Sequence, residues 1–223
     1  MHCVKPPYLT KAQNLITLRN QSGASLFEMS VASLVGAVVL ILVGTLFLSI
    51  QRSATERGKE LLLQQNLFST IQLLKEDLQR AGYNGVQGES LKLPGATHTI
   101  YVEDNGTNDG LIAYAYQIPT MSGGYEYRNV MYRQSDSTPT QIMYCESEQA
   151  TLWNVSSLAS VSGCSSLFAE RQIRVSHFDV TQAAVSSDVV DSAFVTISLG
   201  AYLRYDNQIV HELTSTILQR NWQ

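Results

Sequence analysis

Charge is scarce in this chain, and over one stretch it is missing altogether. Lys, Arg, Asp and Glu make up 15% of its 223 residues, and none of them falls between Met29 and Gln51. Basic residues are in the minority: the formal net charge is −4, and Lys5, Lys11 and Arg19 stand before Gly23 with no acid beside them, so the remainder carries −7. That balance argues against a broad basic surface for nucleic acid. Catalytic signatures are missing too. There is no nucleophile elbow and no phosphate-binding loop. His98, His177 and His211 stand apart, without metal-ligand spacing, and read as partly buried strand residues. Asp104, Asn108 and Asp109 lie in a Gly- and Asn-rich turn that lacks the EF-hand spacing and its final Glu. No enzyme activity, metal or cofactor is expected. Before Gly23 there is no apolar run of the kind a secretory signal needs, since Leu9, Leu15, Ile16 and Leu18 are scattered among polar residues. Cysteine is rare: Cys3, Cys145 and Cys164 are all there are, and Cys3 is given no role.

What is present is organised around the uncharged run. Its 23 residues, Met29 to Gln51, span about 35 Å as a helix, against a hydrocarbon core of about 30 Å. Arg52 ends it, and Glu28 opens it with no other charge nearby. A carboxylate in lipid costs about 2.5–3.5 kcal/mol on insertion scales, which makes Glu28 a functional candidate. A chance Glu at the headgroup level of an ordinary single-pass anchor is the plainer alternative.

Gly23-Ala24-Ser25-Leu26-Phe27-Glu28 at the head of an apolar helix resembles the type IV prepilin signature. The resemblance implies cleavage by a membrane peptidase between Gly23 and Ala24, followed by methylation of the new Ala24 amine. Residues four apart share a helix face, so that amine, or a neighbouring subunit's, can neutralise Glu28 and set register between packed helices. The chain departs from the family in having Ala24 where Phe or Met is usual. It also lacks a mid-helix Pro, so any bend would rest on Gly44.

After Arg52 the apolar residues do not stop but thin to helical spacing, at Leu63, Leu67, Ile71, Leu74 and Leu78. The pattern predicts that the helix continues, half buried, to Arg80-Ala81-Gly82-Tyr83, with a break near Gly58 as the alternative. Beyond it, β-branched and aromatic runs separated by turn residues predict strands at Thr99–Glu103, Leu111–Ile118, Val130–Gln134, Gln141–Cys145, Gln172–Thr181, Phe194–Tyr205 and Gln208–Arg220. Asp206-Asn207 is expected to turn the last two into a hairpin. Val195, Ile197, Leu199, Ala201, Leu203 and Tyr205 alternate onto one face, as do Ile209, Leu213 and Ile217. The Leu63–Leu78 stripe is the available cover. The expected class is α+β: a long N-terminal helix, half transmembrane and half amphipathic, packed on an antiparallel β-sheet. That arrangement resembles the type IV pilin fold.

Three motifs resemble the PilW-like minor pilins: Asp77-Leu78-Gln79-Arg80-Ala81-Gly82-Tyr83, Asn108-Asp109-Gly110-Leu111 and Leu218-Gln219-Arg220-Asn221. The resemblance implies a leader at 1–23, a membrane or filament-core helix at 24–51, its amphipathic continuation at 52–82 and a β-rich body at 83–223. It places the body in the periplasm and then at the cell surface. The implied partners are other major and minor pilins, the prepilin peptidase at Gly23 and the inner-membrane assembly platform. In an oxidising compartment Cys145 and Cys164 are expected to pair, with Trp153 over the loop they close, free thiols being the alternative. The implied function is a minor pilin in pilus initiation. The alternatives are a type II secretion pseudopilin and a tip protein binding DNA or surfaces.

Overall fold

In the computed structural model, residues 25–85, 88–103, 110–135, 137–186 and 191–219 are described. The chain divides into two units, Met1–Arg52 and Ser53–Gln223.

In the first unit the described residues, apart from Ser25, belong to helix α1, which runs as one element from Leu26 to Leu78. Its leading segment exposes Leu26, Phe27, Leu34, Leu40, Ile41, Leu46, Phe47 and Ile50. The hydroxyls of Ser30, Ser33 and Thr45 donate to the carbonyls of Leu26, Ser30 and Leu42 at 2.8–2.9 Å. These three hydroxyls are thus satisfied within the helix, as a lipid environment requires. Among the described residues this is the one helix long and apolar enough to cross a membrane. The helix continues through Gly44 and Gly58 without a break.

In the second unit α1 buries Leu63, Leu67, Ile71, Leu74 and Leu78, the stripe read from the sequence, together with Thr70. Full burial of each Leu contributes roughly 1.5–3 kcal/mol. The stripe packs against strands from two antiparallel sheets, not one. The first sheet runs in sequence order through β1 (Tyr101–Glu103), β2 (Leu111–Pro119), β3 (Tyr125–Gln134), β4 (Ile142–Gln149) and β5 (Ser165–Ser166). The second holds β6 (Ile173–Ser186), β7 (Asp191–Leu203) and β8 (Asp206–Leu218). Each sheet is built from hairpin neighbours, the pairing that short connections favour. The second sheet meets the first where the Gly110 amide donates to the Phe178 carbonyl at 2.9 Å.

The first sheet is covered on both faces. Ile112, Tyr114, Tyr116, Val130 and Tyr132 join the helix stripe, while Leu111, Ala113, Ala115 and Met131 join Leu91, Leu93, Leu158 and Cys145 on the other side. Burial on both sides explains why β2 lacks polar alternation. The cover on that second face includes a 3-10 helix, Val155–Ser160, capped by Asn154, whose side chain accepts from the Ser156 amide.

Several boundaries differ from expectation. The Val130–Gln134 strand begins at Tyr125. The last hairpin turns at Arg204-Tyr205 rather than Asp206-Asn207, because Leu203 already opposes Asp206. Tyr205 therefore leaves the buried face of β7 and is 84% exposed. In β6 the register shifts between Val175 and His177, so the buried set changes phase from Ile173 and Val175 to Phe178 and Val180. A Cβ on the opposing Gly200 would strike the His177 ring and the Ser176 hydroxyl, so the bulge and the glycine depend on each other. His98 lies in a bend, not a strand. The cation in the last turn of α1 is Lys75.

Candidate functional site

Gly23 and Ala24 lie outside the described residues, as do Asp104, Asn108, Asp109 and the Arg220-Asn221 end of the last motif. Glu28 sits in the first turn of α1 and is exposed. Its backbone amide donates to the Ser25 hydroxyl at 3.3 Å, and the Met29 amide donates to the Ser25 carbonyl at 3.1 Å. Ser25 is therefore the N-cap, and Ser25-Leu26-Phe27-Glu28 has the Ser-x-x-Glu order of a capping box. That order is legible in the sequence itself. A carboxylate in this turn also faces the positive end of the helix dipole. From Leu26 to Ile50 the side chains beyond Glu28 are exposed, with no cover from the described residues.

Cys145 in β4 and Cys164, just before β5, form a disulfide. Trp153 packs on the same cluster, and its amide donates to Asn129 Oδ1 at 2.8 Å. The bridge ties the least regular segment of the body to the first sheet.

The strongest polar feature lies at the end of α1. Asp77, in the last turn of α1, receives the hydroxyls of two buried tyrosines: Tyr132 at 2.9 Å and Tyr114 through a very short bond. Burial raises the Tyr114 hydroxyl well above its ordinary pKa, with Tyr132 and Asp77 adding to the effect. Burial and then Asp77 do the same for Tyr132. Tyr144, its ring centroid 5.0 Å from that of Tyr132, is raised by burial and by its bond to Glu146. These phenols stay protonated and donating, so Asp77 is a fixed acceptor joining the helix end to β2 and β3. Immediately beyond, Gly82 adopts φ 81°. Its amide donates to the Ala115 carbonyl at 2.9 Å, and its own carbonyl receives the Leu91 amide at 2.8 Å. A Cβ there would strike the Thr99 methyl. The motif at 77–83 is thus the joint between α1 and the first sheet.

His177 and His211 are brought to carboxylates. His177 Nε2 lies 3.4 Å from Glu212 Oε1, and His211 Nε2 lies 3.5 Å from Glu60 Oε1. The Ser198 hydroxyl donates to Glu212 at 2.7 Å and lies 3.4 Å from the same His177 nitrogen. Ser198 and Glu212 thus meet the same imidazole nitrogen, which is not the relay a nucleophilic serine requires. Ser198 and His177 hold Glu212 below the usual carboxylate pKa.

Comparison with protein families gives a match over residues 56–219 to prepilin peptidase-dependent protein B. No significant match arises among curated proteins or among solved structures. The matched residues begin after Arg52, so they owe nothing to the Gly23–Glu28 signature or to the apolar run. Two separate parts of the chain therefore lead to one assignment, and the long apolar helix and the antiparallel sheets agree with both. The chain belongs to the prepilin peptidase-dependent protein B family and is a type IV pilin-like protein.

Proposed function

We propose that this chain is a minor pilin that takes part in starting type IV pilus assembly, in the manner of the PilW-like branch. The observation that carries the reading is the exposed apolar surface of α1 from Leu26 to Ile50, headed by the single acid Glu28. Such a surface needs lipid before assembly and packed helices after it. Peptidase cleavage after Gly23 removes the cytoplasmic leader and frees the Ala24 amine. With the body in the periplasm, the chain waits in the inner membrane on its single span. During assembly the Ala24 amine of this chain or of a neighbour answers Glu28, and the helix leaves the bilayer for the filament core. The partners are other pilins, the peptidase and the assembly platform, and the role is structural.

N-terminal mass spectrometry of the mature protein tests the processing step, with methylated Ala24 as the expected first residue. A mature chain still beginning at Met1 overturns it. Glu28→Ala is expected to be cleaved normally but to lower pilus number; unchanged pilus number removes the docking role. Loss of protein secretion with pili intact would instead identify a secretion pseudopilin.

A further inference from the structure

Among the described residues, β1, β5, β6 and β8 stand at the edges of the two sheets. Three of these edges are guarded. β1 and β5 are three and two residues long, too short to template a partner. β6 is long, but the first sheet covers it. Its Phe178 carbonyl accepts the Gly110 amide, its Val175 amide donates to the Thr140 carbonyl, and its Gln182 side chain donates to the Ile100 carbonyl, at 2.9–3.2 Å. β8 differs from all three. It is 13 residues long, has β7 as its one strand neighbour among the described residues, and pairs with it without a register shift from Val210 to Leu218. Alternate residues of such a strand direct their amides and carbonyls away from the sheet. Lys and Pro, the common guards of an open edge, are absent from Asp206–Leu218.

A groove lies along this edge. Glu60 and Gln64 of α1 both reach the His211 ring at 3.5 Å. Beside that contact is an open groove of roughly 520 Å³, lined by Leu61, Gln65 and Phe68 of the helix and by His211, Glu212 and Leu213 of β8. Neighbouring residues on a strand point to opposite faces. His211 and Leu213 share the helix side with the buried Ala201 and Leu199, whereas Glu212 turns to the other side, where it meets Ser198 and His177. A groove that touches all three therefore opens on the backbone edge itself. Leu61 and Phe68 are seven positions apart, so they share one flank of α1, and they are 53% and 65% exposed. They lie outside the buried stripe, where the helix-side side chains of one more strand would fall.

Amides and carbonyls spaced along an open strand are matched by an extended peptide, which gains affinity from its main chain and specificity from alternate side chains. We propose that β8 accepts a strand from a different protein subunit, which extends the second sheet and lays its alternate side chains over Leu61 and Phe68. On the helix side the incoming strand is apolar. On the other side it meets Val210, Glu212, Thr214 and Thr216. β8 carries two acids, Asp206 and Glu212, and no Lys or Arg. Asp206 is engaged by Lys59, while the Glu212 side chain is 57% exposed. A Lys or Arg on the incoming strand answers Glu212 across the pair. A second copy of β8 brings no Lys or Arg to that position, so the partner is another chain. Strand addition uses the globular unit alone and holds whichever assembly the chain serves.

The test uses the full chain in detergent and an acetylated probe peptide, Thr-Val-Lys-Val-Thr-Val-Lys-Val-Thr, with hydrogen exchange of the Val210–Thr216 segment as the readout. Bound probe slows exchange by one plus the ratio of its concentration to Kd, so about 1 mM probe should slow this segment at least about threefold. L61K/F68K changes two exposed side chains and should abolish the protection, while exchange in β2 and β3 stays unchanged as proof of folding. Glu212→Lys should weaken protection by this probe and restore it for a probe with Glu in place of Lys. A fully N-methylated probe keeps the side chains but has no backbone donors, and it should protect nothing. No protection of the parent chain at about 1 mM overturns the proposal. Equal protection by the N-methylated probe assigns binding to the apolar groove alone and overturns strand addition. Protection that grows with protein concentration in the absence of probe assigns the edge to a second copy and also overturns the proposal.

Discussion

Asp77 Oδ2 accepts the Tyr132 hydroxyl at 2.9 Å, joining the last turn of α1 to the C-terminal part of β3 across 55 residues of sequence. The same oxygen receives Tyr114 from β2. One carboxylate thus fixes where the helix ends relative to two strands. A hydrogen bond to a charged group contributes about 1.5–3 kcal/mol, and its buried partner costs a similar amount when left unmet. Asp77→Ala strands two phenols and is expected to cost roughly 2–5 kcal/mol, whereas Tyr132→Phe removes one donor and should cost less. Urea unfolding of the chain in detergent, followed by near-ultraviolet circular dichroism, measures both. Equal losses for the two variants would show that Asp77 does not act as a shared acceptor.

The same pair sets a limit on the alkaline side. Tyr114 and Tyr132 have raised pKa values in the folded chain, while in the unfolded chain they titrate near 10. Below pH 10 both states hold the phenolic protons, and the stabilising contribution is whole. Above it the unfolded chain releases protons that the fold retains, so stability falls as pH rises, by up to about 1.4 kcal/mol per pH unit for each tyrosine. The double variant Tyr114→Phe/Tyr132→Phe should be less stable at pH 8 yet show a shallower decline between about pH 10 and 11.5. Parallel pH slopes in parent and variant would refute the assignment.

The Cys145–Cys164 bridge closes a loop with a sequence separation of 19. Chain entropy places its contribution near 3 kcal/mol. Cys145→Ala/Cys164→Ala should lower the unfolding midpoint accordingly and raise hydrogen exchange first in Leu152–Val161, which packs on the same cluster. A midpoint unchanged by reduction or by the double substitution would contradict this.

Gly82 is subject to two separate constraints, a φ of 81° and the Thr99 methyl. Gly82→Ala should destabilise by about 1–3 kcal/mol. Adding Thr99→Ser removes the methyl but not the backbone strain, so it should recover only part of the difference from its own single-variant reference. Full recovery in that double-mutant cycle would mean that φ is not limiting.

Much of this architecture could be read directly from residue order. The span follows from the uncharged run, and the helix continuation from Leu63, Leu67, Ile71, Leu74 and Leu78, because a period of 3.6 is a local property. The β7 face at Val195, Ile197, Leu199, Ala201 and Leu203 follows from a period of two. Other features were less legible. Tyr205 continues the alternation yet faces solvent, since a strand's end is decided by where its partner turns. The 3-10 helix at Val155–Ser160 carries no periodic signal over its single short run.

Sequence alone determined the anchor-like helix, its lone acid and the alternation of its strands, because each depends on neighbours along the chain. Only the tertiary structure decided that the strands divide into two sheets and that Asp77 gathers Tyr114 and Tyr132. It also decided that Arg204 and Tyr205 lie at the end of the body nearest residue 59. Those relations join residues tens to more than a hundred positions apart. They are selected by which buried faces and polar groups can be satisfied together, a condition that no local pattern records.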